Sequence, residues 1–203
     1  MSETKELIDR RDAIKRVSIL LGGVALVGGS SLWSTACRTE REAAYKGVGK
    51  FSPDDVALLD EVADTILPPT KTPGAKAAKT GPFMALMVTD CYEPKDQQVF
   101  MDGMKQLDAA TQKSAGTTFM KATPDQRLAV LQALDKEQHD YMKDKKDREA
   151  PAHYFRMMKE LSLLGYFTSE IGMTQAQRYA EAPGRYDPCV DYKPGDRAWA
   201  NHA

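Results

Sequence analysis

Proline stands at the front of the apolar-periodic segments of this chain, and that placement constrains the fold more than any other feature. Ser52-Pro53-Asp54-Asp55 offers a serine N-cap, a proline at the first helical position and an acid at the third. Proline fits there because the first N–H groups of a helix lack partners within it. Behind this start, Val56, Leu59, Val62, Ala63, Ile66 and Leu67 recur at helical spacing until Pro68-Pro69 ends the run. Pro82 opens a second segment with Phe83, Met84, Leu86, Met87 and Cys91, and Pro94 a third with Phe100, Met101, Met104 and Leu107. Thr123-Pro124-Asp125-Gln126 has the capping-box pattern ahead of Leu128, Val130, Leu131, Leu134 and Tyr141. Pro151 opens the last long segment, with Phe155, Met158, Leu161 and Leu164. No stretch alternates with period two. The spacing therefore predicts an all-α chain, an irregular bundle of about five helices. Beyond Gly172 the periodicity fades into an extended tail rich in proline and aromatic residues, including Tyr179, Tyr186, Tyr192 and Trp199.

The N-terminal part is built differently. Residues 1–16 are polar and basic, and residues 17–33 carry no charge. A positive segment before an apolar one is the plan of an export signal. The apolar stretch contains Gly22, Gly23, Gly28 and Gly29 and falls short of the ~20 residues a spanning helix needs. Arg10-Arg11, Ile14 and Lys15 match a twin-arginine signal, with Ala13 in place of the usual phenylalanine. The alternative is an ordinary secretion signal with two chance arginines. Ser34-Thr35-Ala36 suits cleavage, while Cys37 suits lipidation, although Ser34 stands where a leucine is expected. Both ends of the signal stay open. The expected organisation is a signal over 1–37, a polar linker over 38–50 and a helical domain over 51–203, in a periplasmic and membrane-associated protein.

Charge and cysteine count narrow the function. Lys and Arg number 28 against 29 Asp and Glu. That balance supplies no basic field for nucleic acid. Outside the signal, Cys91 and Cys189 remain, with 97 residues between them. In an oxidising compartment they are candidates for one disulfide, the alternative being two independent cysteines. Residues 136–149 carry ten charges of mixed sign, the pattern of a solvated helix end.

Residues with catalytic or ligating chemistry form no pattern. No G-x-G-x-x-G turn, C-x-x-C-H haem site or G-x-S-x-G elbow occurs. His139, His153 and His202 come without paired thiols, and the E-x-x-H spacing of di-iron bundles fails at both Glu137–His139 and Glu149–His153. His139 reads as a surface residue and His153 as a hydrogen-bonded histidine or a partner contact. The methionines at 84, 87, 101, 104, 157 and 158 fall at helical spacing and read as core, the alternative being a Met-rich partner groove. Asp54-Asp55 and Asp60-Glu61 read as helix-start or exposed acids. The chain is expected to hold no catalytic, cofactor or metal site.

Several blocks carry a family resemblance. LDEVADTILPPTKTPGAKAA at 59–78, FMALMVTDCY at 83–92 and HYFRMMKELSLLGYFTSEIGM at 153–173, followed by Pro183-Gly184-Arg185-Tyr186-Asp187-Pro188-Cys189, resemble the gluconate 2-dehydrogenase subunit 3 family. The resemblance implies a non-catalytic small subunit of an exported dehydrogenase. Its partner would be a glucose-methanol-choline type flavoprotein that carries FAD and lacks a signal of its own. The small subunit would escort that partner through the twin-arginine translocase. A cytochrome c subunit with haem c would take the electrons. Tyr166, Phe167, Tyr186 and Trp199 are the partner-contact candidates, since aromatics are enriched at interfaces. Tyr166 and Phe167 equally suit the end of a core helix. The alternatives are a stand-alone lipoprotein scaffold and an oxidoreductase acting on a sugar acid itself.

Overall fold

The computed structural model describes residues 49–147, 149–182, 184 and 189–200. Five α-helices make the body: α1 Pro53–Ile66, α2 Thr80–Cys91, α3 Pro94–Ala115, α4 Pro124–Asp144 and α5 Tyr154–Phe167. A 3-10 turn, Phe119–Lys121, links α3 to α4, and a π turn, Gly172–Ala176, follows α5. No strand occurs among the described residues, so the all-α expectation holds. An isolated bridge pairs Arg178 with Trp199 in parallel.

Local chemistry sets three of the five starts. The Ser52 hydroxyl accepts from Asp55 N–H at 3.2 Å, and the Asp55 carboxylate accepts from Ser52 N–H at 2.8 Å. Thr123 and Gln126 repeat the exchange ahead of α4. Both are capping boxes, which satisfy two orphan donors at once. Pro94 is the first residue of α3, and that helix ends on Gly116 at φ +70°, whose N–H reaches back to the Gln112 carbonyl at 3.0 Å.

The other two starts differ from expectation. Helix α2 begins at Thr80, two residues before Pro82. Asp60 of α1 accepts the Gly81 N–H at 2.7 Å and so supplies a cap from outside the segment. Pro82 then falls inside the first turn, where a missing N–H costs nothing. Helix α5 begins at Tyr154, not at Pro151. His153 is its N-cap, with Nδ1 accepting the Phe155 N–H at 3.2 Å. Pro151 remains in the preceding loop, where its carbonyl accepts the Tyr141 hydroxyl at 3.2 Å.

Helix α5 is the centre of the packing and touches each of α1, α2, α3 and α4. Its buried side carries Phe155, Met158 and Leu161, which meet Leu59, Met84, Phe100 and Leu107 in one core. Met84, Met104, Met157 and Met158 are all buried there. Two glycines allow the close approach. A Cβ on Gly103 of α3 would run into the Tyr154 side chain, and one on Gly165 would lie 2.6 Å from the Phe83 ring. Among the described residues no helix is long and apolar enough to cross a membrane.

Removing the cap in Thr123→Ala is expected to cost about 1 kcal/mol, and Phe100→Ala about 3–5 kcal/mol through the cavity it leaves. Urea unfolding followed by circular dichroism checks both.

Candidate functional site

Three acids on one side of α1 organise the polar interior. Asp60 holds the start of α2, as above. Asp64 accepts the Lys76 N–H at 3.0 Å. Glu61 accepts from the Lys76 ammonium at 2.8 Å through one oxygen and from the Arg127 guanidinium through the other. Arg127 also donates to the Phe119 carbonyl at 2.8 Å and the Met120 carbonyl at 2.7 Å, and lies over the Phe119 ring. One carboxylate thus ties α1 to the long loop before α2, to the 3-10 turn and to α4.

The loop over 67–79 is folded around these acids. The Ala75 N–H donates to the Leu67 carbonyl at 3.0 Å, and the Thr80 hydroxyl donates to the Ala75 carbonyl at 2.8 Å. A Cβ on Gly74 would collide with the Asp64 carboxylate and with Pro69, so this corner admits only glycine. The Tyr166 hydroxyl donates to the Pro73 carbonyl at 2.9 Å and closes the loop from the α5 side. The Thr-Pro-Gly-Ala segment at 72–75 therefore has a structural task. Asp60 and Glu61 are not exposed helix acids, which corrects the expectation from sequence. The signal was their position opposite the apolar stripe, but their partners are 15 to 66 residues away.

The electrostatics follow the contacts. Burial pushes the Asp60 carboxyl above the usual carboxylate range, against the pull of the Gly81 N–H and Lys76. The Lys76 hydrogen bond, with Arg127 adding to it, holds the Glu61 carboxyl below that range. Burial lowers the His153 imidazole from its ordinary value, with Glu137 opposing at 3.7 Å. The His153 ring is stacked on Tyr154 at 4.5 Å between centroids and tilted against Tyr141 at 5.6 Å. Burial pushes the Tyr154 phenol up to about 12. His139 is exposed, with Nδ1 beside the Asp135 carbonyl at 3.0 Å. Among the described residues no group of three His, Cys, Asp or Glu is placed to hold a metal ion.

The residues singled out from sequence separate. Arg10, Arg11, Lys15, Cys37 and Tyr186 lie outside the described residues. Tyr166 is only 4 % exposed and belongs to the core, whereas Phe167, edge-on to it at 5.1 Å, is 37 % exposed. Trp199 is exposed under the Arg178 guanidinium, 4.6 Å from the ring centroid. There the tail returns on itself: Arg178 N–H donates to the Ala198 carbonyl and Ala200 N–H to the Arg178 carbonyl, both at 2.8 Å. Cys91 and Cys189 are exposed free thiols, and the bridge expected between them is not formed in the structure. Helices α2 and α5 run antiparallel, with Phe83 at Gly165 and Cys91 near Met157.

Clefts among the described residues include two of contrasting character. One of about 600 Å³ lies where α2 ends and α5 begins, lined by Tyr92, Glu93, Lys95, Asp96, Glu149 and Glu160 among others. The other, of about 260 Å³, lies between α3 and α4 and is lined mainly by Ala110, Ala129, Val130, Ala133 and Leu134.

The described body is a small helical one whose perturbed carboxylates and capping histidine are engaged in holding its own loops and helix ends. The family model for gluconate 2-dehydrogenase subunit 3 matches residues 53–184, from the first residue of α1 to beyond α5. The chain belongs to this family. No curated protein and no solved structure matches it.

Replacing Glu61 by Gln is expected to lower stability by about 1.5–3 kcal/mol, the range for hydrogen bonds to charged groups. The Glu61 carboxyl is more acidic folded than unfolded. Its contribution is therefore complete above the ordinary glutamate value and lost as pH falls through the folded one. The imidazole of His153 is also depressed, so its contribution is complete above about 6.5 and declines below it. Asp60, raised in the fold, acts in the opposite sense. Across melts from pH 7.5 to 5, His153→Asn, which keeps a cap acceptor, is expected to show a flatter decline than wild type.

Proposed function

We propose that this chain is the non-catalytic small subunit of a gluconate 2-dehydrogenase-type complex. Its task is to bind the flavoprotein subunit, of the glucose-methanol-choline type with FAD, and to stabilise it. The observation that carries this reading is the extent of the family match, which takes in all five helices and the loop that Asp60, Glu61 and Asp64 organise. Catalysis and substrate choice then reside in the partner. A cytochrome c subunit with haem c receives the electrons.

The N-terminal segment extends the reading. Arg10-Arg11 and Lys15 direct a folded complex through the twin-arginine translocase, so the partner travels on this subunit's signal to the periplasm. There the complex stays associated with the membrane, through its other subunits or through a lipid on Cys37.

Affinity purification of the tagged chain from its native source, in mild detergent, tests the reading. A co-purifying polypeptide of flavoprotein size with a flavin absorbance spectrum is the expected result. A colourless chain recovered alone refutes it. Replacing Arg10-Arg11 by Lys-Lys is expected to leave both proteins in the cytoplasm; normal export of the flavoprotein would remove the escort role while leaving the subunit role in place.

A further inference from the structure

Helix α2 has the composition of a helix covered on every side, yet only part of it is covered. Its sequence, TGPFMALMVTDC, has Asp90 as its one charge. A helix apolar all round belongs in an interior. Thr80, Gly81, Met84, Ala85 and Val88 are buried against the body, but Leu86 is 49 % exposed, with Phe83 and Met87 half-buried beside it. The Phe83 ring packs where a Gly165 Cβ would be, so α2 and α5 meet there. Leu86 is three residues beyond Phe83 and lies on one shoulder of this seam. Leu164, 45 % exposed, adjoins Gly165 on the other, and Phe167, 37 % exposed, is one turn further on. Scattered exposed leucines need no explanation, but a contiguous apolar strip marks a contact.

Met87 leads from the strip to the larger cleft, its Sδ 4.0 Å from Sγ of Cys91 in the lining, and the two differ in chemistry. At the end of α2 the described residues of the cleft lining include the acidic Glu93, Asp96, Glu149 and Glu160, with Lys95 as their basic neighbour. Lys95 is engaged by Glu93 at 3.1 Å and, outside the lining, Arg156 by Glu160 at 2.8 Å, so the surplus is negative.

Resting on the subunit reading above, we infer that the α2–α5 seam and its acidic cleft form the docking face for the flavoprotein subunit. That partner presents an apolar ridge flanked by Lys or Arg side chains. The charge selects this occupant. A second copy of the chain brings the same negative surplus to the contact, since a two-fold interface uses one patch twice. An anionic lipid surface is repelled by it. A basic protein face is drawn to it, and buried apolar contact then supplies the affinity.

The test uses the complex purified through a tag on the full chain, and reads flavin absorbance recovered per tagged chain. Leu86→Glu and Leu164→Glu, each at a half-exposed position, are expected to lower recovery about tenfold or more, with helical content and melting unchanged; Leu86→Ser provides a milder second variant. Asp96→Lys with Glu149→Lys is expected to lower it several-fold at low salt. Leu128→Glu on α4, also exposed, is the control and keeps full recovery. Seam variants that recover flavin as the control does overturn the docking face and leave the subunit reading intact. A wild-type chain that brings no flavoprotein overturns both. Unchanged flavin recovery together with lost self-association, or with lost sedimentation on anionic vesicles, assigns the face to a second copy or to lipid and overturns the inference.

Discussion

The Glu61 carboxylate is the joint on which the body depends. It is shared by Lys76, in the loop before α2, and Arg127, at the start of α4, while Arg127 also holds two carbonyls of the 3-10 turn. Its neighbours Asp60 and Asp64 bind backbone N–H groups of the same loop and of α2. A half-buried carboxylate is costly unless it is hydrogen-bonded, and here each Glu61 oxygen has a cationic partner from a chain segment far away in sequence. The arrangement positions α2 against α1 and α5, and so determines which side of α2 is left outside.

The legible part of this fold is the local part. Ser52 with Asp55, and Thr123 with Gln126, are capping pairs three residues apart, and each predicts its helix start correctly because donor and acceptor lie in the same turn. Pro82 and Pro151 mislead because the real starts are set from elsewhere. Asp60 reaches over from α1 to bring α2 forward to Thr80, and an imidazole nitrogen delays α5 to Tyr154. The same division governs the candidate site. Tyr166 and Phe167 are neighbours of similar chemistry, but one faces Pro73 in the core and the other faces outward. Which of the two does which depends on where α2 and its loop lie, and no spacing within α5 reports that. Leu86 was readable as helical and apolar, but not as outward.

The described body divides into an interior that holds itself together and a surface with its own chemistry. Its perturbed acids and its capping histidine explain themselves through contacts that hold the body together. What remains is shape and polarity on the outside: an apolar strip over α2 and α5, an acidic cleft continuous with it, and a tail that returns to Arg178 and exposes Tyr179, Tyr192 and Trp199. These features differ in chemistry from one another and lie on different parts of the described body.

The central helix is also the last of the five described α-helices in chain order. Because α5 packs on each of the other four helices, the groove they form has no filler until residue 167 has left the ribosome. Helices α1 to α4 emerge with their inner sides uncovered, and the contacts that close the core join distant parts of the chain, which raises the entropic barrier to closure. Closure of the core thus waits for residues 154–167. A ribosome that stalls before α5 releases an incomplete shell with exposed leucine and methionine, a substrate for chaperones rather than a smaller version of the protein.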